Sequence, residues 1–73
     1  MITVFTTTQC AYCVMVKKFL TSKGKDYKVV NLEEEPEVRQ SLFEKTGALT
    51  VPITQIGEEF IIGWSPAKLS AAL

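Results

Sequence analysis

The hydrophobic period of this chain changes from two to 3.6 at Cys10 and returns to two near residue 27, which restricts the fold more than any other feature. Residues 1–6 alternate around Ile2, Val4 and Phe5 and are rich in β-branched side chains, the pattern of a strand. Tyr12, Met15, Val16, Phe19 and Leu20 then recur at i, i+3, i+4, i+7 and i+8. That spacing predicts an apolar stripe on a helix that starts near Cys10 and stops at Gly24. Residues 27–32 resume the strand pattern, and the adjacent Val29 and Val30 make it apolar on both faces, which predicts an interior place in a sheet. Strand, helix, strand in this order is a βαβ unit, with parallel strands and a right-handed connection.

Beyond the unit, Glu33, Glu34 and Glu35 precede Pro36, so negative charge and a first-turn proline open a second helix that ends before Gly47. Val38, Leu42 and Phe43 supply its apolar side. Residues 51–56 and 60–62 read as two short strands joined through Gly57, Glu58 and Glu59, a hairpin spacing. Ser65 and Pro66 form a cap and first turn for a last helix, with Leu69, Ala72 and Leu73 facing inward. The predicted order is β-α-β-α-β-β-α, an α/β fold with a four-stranded mixed sheet flanked by three helices. Without an internal repeat or linker, residues 1–73 form a single domain.

Composition removes several function classes. The chain has no histidine, which excludes Ser-His-Asp and Cys-His nucleophile systems, histidine-ligated zinc and a histidine pH switch. Its formal net charge of zero argues against a general nucleic-acid binder. No apolar run reaches the length of a membrane span, and the first residues lack the basic and apolar segments of a signal peptide, so the expectation is a cytoplasmic protein with no membrane partner. The zero also hides an asymmetry. Residues 1–30 hold five lysines against Asp26, a net +4, and residues 31–73 hold three cations against seven glutamates, a net −4. This gives either two solvated faces or a basic side around the first helix that attracts acidic protein partners.

Both cysteines fall in Cys10-Ala11-Tyr12-Cys13, between the first strand and the first helix. A purely structural disulfide there closes so short a loop that it contributes roughly 2 kcal/mol, against about 3 for a 15-residue loop. Two thiolates are also half of a tetrahedral zinc site, and no further cysteine or histidine completes it. A redox-active dithiol fits better. Cys10 at the helix start meets unpaired backbone N–H groups and the positive end of the helix dipole, both of which favour the thiolate that attacks a disulfide. Cys13, one turn in, is placed to resolve the mixed disulfide that results. No step needs a histidine.

Strand, CxxC helix, strand, helix, Thr50-Val51-Pro52, hairpin, glycine turn and short helix together resemble the glutaredoxin family of the thioredoxin fold over essentially the whole chain. Thioredoxin itself is less similar, since Gln9 rather than tryptophan precedes Cys10. By residue statistics alone the Val51–Pro52 bond is expected trans. The resemblance implies the reverse: a cis Pro52 beside the cysteines, with Thr50, Val51 and Pro52 in the substrate groove and the Val51 backbone pairing with a glutathione or protein chain.

Three positions depart from the glutaredoxin pattern. Ala11 replaces the usual proline of the cysteine motif, Thr7 stands where many members have a lysine for a glutathione carboxylate, and Gly63-Trp64-Ser65-Pro66 stands where many have an aspartate pair. The last segment resembles the NrdH-redoxins, small glutaredoxin-like proteins reduced by thioredoxin reductase that donate electrons to ribonucleotide reductase. Tyr12, instead of the usual glutamine, departs from that type. Tyr12 and Trp64 each read either as core or as flanks of the exchange groove, and Gly63 as part of that groove.

The resemblance therefore implies a monomeric dithiol oxidoreductase, with Cys10 as nucleophile and Cys13 as resolving cysteine, that reduces protein disulfides such as those of ribonucleotide reductase. It implies no bound cofactor or metal, with electrons from NADPH through thioredoxin reductase or from glutathione. Two alternatives stand beside it. One is a glutathione-dependent glutaredoxin; the other, implied by Ala11, is a [2Fe-2S] carrier in which Cys10 thiolates of two chains and two glutathiones hold the cluster.

Overall fold

The computed structural model describes residues 2–8, 10–48 and 50–73. The elements run in the predicted order: β1 (Ile2–Thr6), α1 (Ala11–Ser22), β2 (Lys28–Asn31), α2 (Pro36–Thr46), β3 (Ile53–Ile56), β4 (Glu59–Ile62) and α3 (Pro66–Ala72). Met1, assigned above to the first strand, lies outside the described residues. Among the described residues, no helix is long and apolar enough to cross a membrane.

The four strands form one mixed sheet in the order β2-β1-β3-β4. β1 runs parallel to β2 and antiparallel to β3, and β3 and β4 form the hairpin. Its turn is two residues long and opens on Gly57 at φ 62, a left-handed conformation that a side chain would disfavour. Alternation along β1 divides the core. Ile2 and Val4 face one way, onto Val16 and Leu20 of α1 and Leu69 of α3; Phe5 faces the other way, onto Leu42 of α2.

Several expectations are corrected. β2 lies at the edge of the sheet, not inside it, and Val29 is 44% exposed. The register pairs Val29 with Val4 and Val30 with Phe5, so the two valines point to opposite faces. Only Val30 is packed into a core cluster, alongside Val38 of α2. A valine doublet thus reports a preference for pleated backbone, while burial depends on which helix reaches the edge. The second correction is a rotation of α1: its buried residues are Cys13, Val16 and Leu20, with Phe19 half-buried and Tyr12 and Met15 exposed. Residues 11–16 are all apolar, so the first turn and a half has no polar side from which the buried face could be read. Phe43 and Leu73, both expected to pack inward, are likewise exposed.

One core residue is polar. Thr54 on β3 is fully buried, and its Oγ1 has no hydrogen-bond partner among the described residues. An unsatisfied buried hydroxyl costs about 1–3 kcal/mol, whereas an apolar group of the same shape does not. Thr54→Val is therefore expected to stabilise the protein by about 1–2 kcal/mol, read as a higher denaturation midpoint at unchanged m-value. An unchanged or lower midpoint would show that the hydroxyl is satisfied in solution.

Candidate active site

β1 delivers the chain to Cys10, which is extended (φ −154) and caps α1. The cap is made by sulfur: Cys10 Sγ accepts a hydrogen bond from the Cys13 backbone N–H at 3.2 Å, the place a serine or aspartate oxygen takes in other helices. Cys10 and Cys13 are joined in a disulfide with their Cα atoms 5.3 Å apart, inside the range such a bond requires. Their environments differ. Cys10 is half-buried and open to a partner, while Cys13 is 1% exposed and shares the inward stripe of Val16 and Leu20. Once the bond is opened, the N–H that caps Cys10 and the dipole of α1 both favour a thiolate on the accessible sulfur.

The segment before Cys10 is tied to the turn that follows β2. Leu32 N–H donates to Thr6 O at 2.8 Å, Thr8 N–H to Glu33 Oε2 at 2.9 Å, and Asn31 Nδ2 to Thr8 Oγ1 at 3.3 Å. Asn31 Oδ1 also accepts the Glu33 N–H at 2.9 Å, an Asx turn. The Thr8 hydroxyl and backbone N–H, with a smaller contribution from Arg39, hold the Glu33 carboxyl below its ordinary pKa. In the sequence Glu33 stands only as charge at a helix start, and Thr8 and Asn31 have no marked role. An Asn two residues before a Glu at a strand end is the local signal of the Asx turn, but nothing local signals its bond to Thr8.

The other predicted residues gather at the same end of the sheet. The register that pairs Phe5 with Ile53 puts Val51 and Pro52 beside the exit of β1. Pro52 is buried, and the Val51–Pro52 bond is cis. Gly63 N–H donates to Pro52 O at 2.7 Å, with Gly63 at φ 80, so the turn after β4 is fastened to the proline through a left-handed residue. Thr50, Val51 and Thr7 line a small cavity together with Arg39 of α2, a cation not anticipated from the sequence.

Tyr12 and Trp64 lie differently. Tyr12 is 57% exposed at the start of α1. Trp64 is half-buried against the α1–α3 core and meets Phe19 edge-on, with ring centroids 5.8 Å apart, while Lys23 Nζ lies 5.5 Å from the Phe19 centroid. Its packing thus braces the Gly63 turn against α1. No group of three or more Cys, Asp or Glu is placed to hold a metal ion among the described residues.

A cysteine-capped helix, a cis proline at the same sheet end and a four-stranded mixed sheet together invite comparison with known proteins. The sequence profile of the glutaredoxins matches residues 2–61. The chain belongs to the glutaredoxin family. Glutaredoxins are thiol–disulfide oxidoreductases, so the redox-active pair is the feature the fold is built to present. A glutaredoxin of Pseudomonas aeruginosa is 37% identical over 62 residues, covering 85% of this chain and 74% of that one. A buckwheat glutaredoxin solved in complex with glutathione is 32% identical at a TM-score of 0.81, covering 96% of this chain and 66% of the other. The Escherichia coli NrdH-redoxin superposes at a TM-score of 0.87 over 96% of this chain and 91% of its own; at 24% identity that likeness concerns the fold. This glutaredoxin spans 60–64% of the length of several plant relatives it also matches.

Proposed function

We propose that this glutaredoxin is a dithiol reductant of protein disulfides, with electrons supplied by NADPH through thioredoxin reductase rather than by glutathione. The cysteine-capped helix is the observation that carries the chemistry. The Cys10 thiolate attacks a sulfur of the target, forming a mixed disulfide and releasing one target thiolate. Cys13, as thiolate, then attacks Cys10 Sγ, re-forms the Cys10–Cys13 bond and releases the second target thiolate. Two electrons pass to the target, whose two thiolates take up the two protons the dithiol gives up. Tyr12, Thr50, Val51, Pro52, Gly63 and Trp64 form the surface on which the target chain lies, with the Val51 backbone pairing to it. Ribonucleotide reductase is an acceptor of the matching kind.

The choice of reductant rests on Thr7 and on Trp64 and Ser65, which put no charge where many glutaredoxins hold the two ends of glutathione. Each missing charge-assisted contact weakens binding by about 1.5–3 kcal/mol, roughly ten- to a hundredfold. One observation favours the glutathione-dependent reading instead: Arg39 lines the cavity beside Thr7, Thr50 and Val51 and could receive a carboxylate. Offering the oxidised protein either NADPH with thioredoxin reductase, or glutathione with its reductase, separates the two. The expected result is reduction at least about tenfold faster with thioredoxin reductase; faster reduction by glutathione would assign the Arg39 cavity to that ligand.

A further inference from the structure

The sheet segregates the charge asymmetry of the sequence. α1 and its C-cap carry Lys17, Lys18 and Lys23, α3 carries Lys68, and neither helix contains an acidic residue. Both helices pack on one face of the sheet. α2 and the turn before it hold five glutamates against Arg39 and Lys45, and α2 packs on the opposite face. One helical layer is therefore purely basic and the other net acidic, with the sheet between them.

Cys10 sits at the head of the basic layer, and the outer surface of α1 next to it is apolar where a solvated helix would be polar. Val14 and Met15 are 45% and 43% exposed. Helical geometry sets them with Lys18 on the side opposite the buried Cys13, Val16 and Leu20. At 1.5 Å per residue, Lys18 lies about 12 Å along the axis from Cys10, within reach of a partner whose disulfide is engaged there.

We propose that this outer stripe of α1, apolar beside the dithiol and basic two turns further on, docks a protein segment whose disulfide is flanked by acidic residues. The inference rests on the disulfide-exchange reading above and adds the chemistry of the partner. Acidic flanks are selected because the layer offers cations alone, and the acidic residues of α2 cannot neutralise them across the sheet. Charge attraction acts at encounter, over a Debye length of about 30 Å at 10 mM salt and about 8 Å at 0.15 M. Val14 and Met15 then supply the area that the bound segment covers.

Two synthetic peptides with the same internal disulfide, one flanked by glutamates and the other by lysines, test this with the reduced full-length protein. Each rate is divided by that of the same peptide with dithiothreitol, which removes differences in intrinsic reactivity. The Glu-flanked peptide is expected to react about tenfold faster at 10 mM ionic strength, with the ratio falling toward one at 500 mM. Lys18→Glu should lower the low-salt ratio about threefold or more. A low-salt ratio of one or less overturns the docking proposal, as does a ratio that Lys18→Glu leaves unchanged. Failure to reduce either peptide, or a small neutral disulfide such as bis(2-hydroxyethyl) disulfide, would instead overturn the exchange reading beneath it.

Discussion

Cys10→Ser is expected to lower turnover of protein disulfides by at least about a thousandfold, because a serine hydroxyl stays protonated at neutral pH and supplies no thiolate. The helix terminus that favours negative charge on sulfur cannot compensate for so weak an acid. Cys13→Ser should behave differently. Cys10 remains accessible and still attacks, yet nothing resolves the product, so one equivalent of target stays joined to Cys10. Intact-mass measurement of the Cys13→Ser protein after mixing with a disulfide substrate should show that adduct, and dithiothreitol should release it. The asymmetry follows from burial: at 1% exposure, Cys13 is closed to an external disulfide but adjoins the sulfur it must attack. Full turnover by Cys10→Ser, or an adduct found on Cys13 in that variant, would reverse the two roles.

The residues that reveal the site in the sequence are those whose chemistry is local. A cysteine at a change of hydrophobic period announces a helix cap, and Pro36, Gly47, Gly57 and the Ser65-Pro66 pair each place a boundary through their own backbone preferences. The cis state of Pro52 has no such local sign. Residue statistics favour trans, and only the resemblance carried by Thr50-Val51-Pro52 with the cysteine motif implies the cis bond that the structure has.

What stayed hidden depends on neighbours distant in the chain. Thr8 and Glu33 are 25 residues apart, and each is unremarkable where it stands; their bond exists because β1 and β2 run parallel and end side by side. Arg39 reads as one more charge on a polar helix until the fold sets it on the rim of the small cavity that Thr7 also lines. The edge position of β2 was illegible for a related reason. Strand propensity is a property of Val29 and Val30, whereas the order of strands is decided by how β3 returns to pair with β1 on its other side.

Leu20→Ala should cost about 3–4 kcal/mol, since Leu20 is fully buried among Ile2, Val4, Val16, Ile61 and Leu69 and its loss leaves a cavity where α1 meets the sheet. At about 4–8 °C per kcal/mol for a domain of this size, the thermal midpoint should fall by roughly 12–30 °C. Total stability is on the order of 0.05–0.15 kcal/mol per residue, so a change of this size removes at least about a quarter of it. Met15→Ala makes the informative contrast. The apolar spacing of the sequence puts Met15 and Leu20 on the same stripe, but Met15 is 43% exposed, and its truncation should shift stability by no more than about 0.5 kcal/mol. Comparable losses in the two variants would restore the stripe inferred from spacing and return Met15 to the core. A large loss at Leu20 alone would support the rotated helix, in which Cys13 shares the inward face with Val16 and Leu20 while Met15 is left to the outer surface of α1. The same contrast therefore bears on stability and on docking, because an exposed Met15 can contribute to partner binding only if the core does not need it.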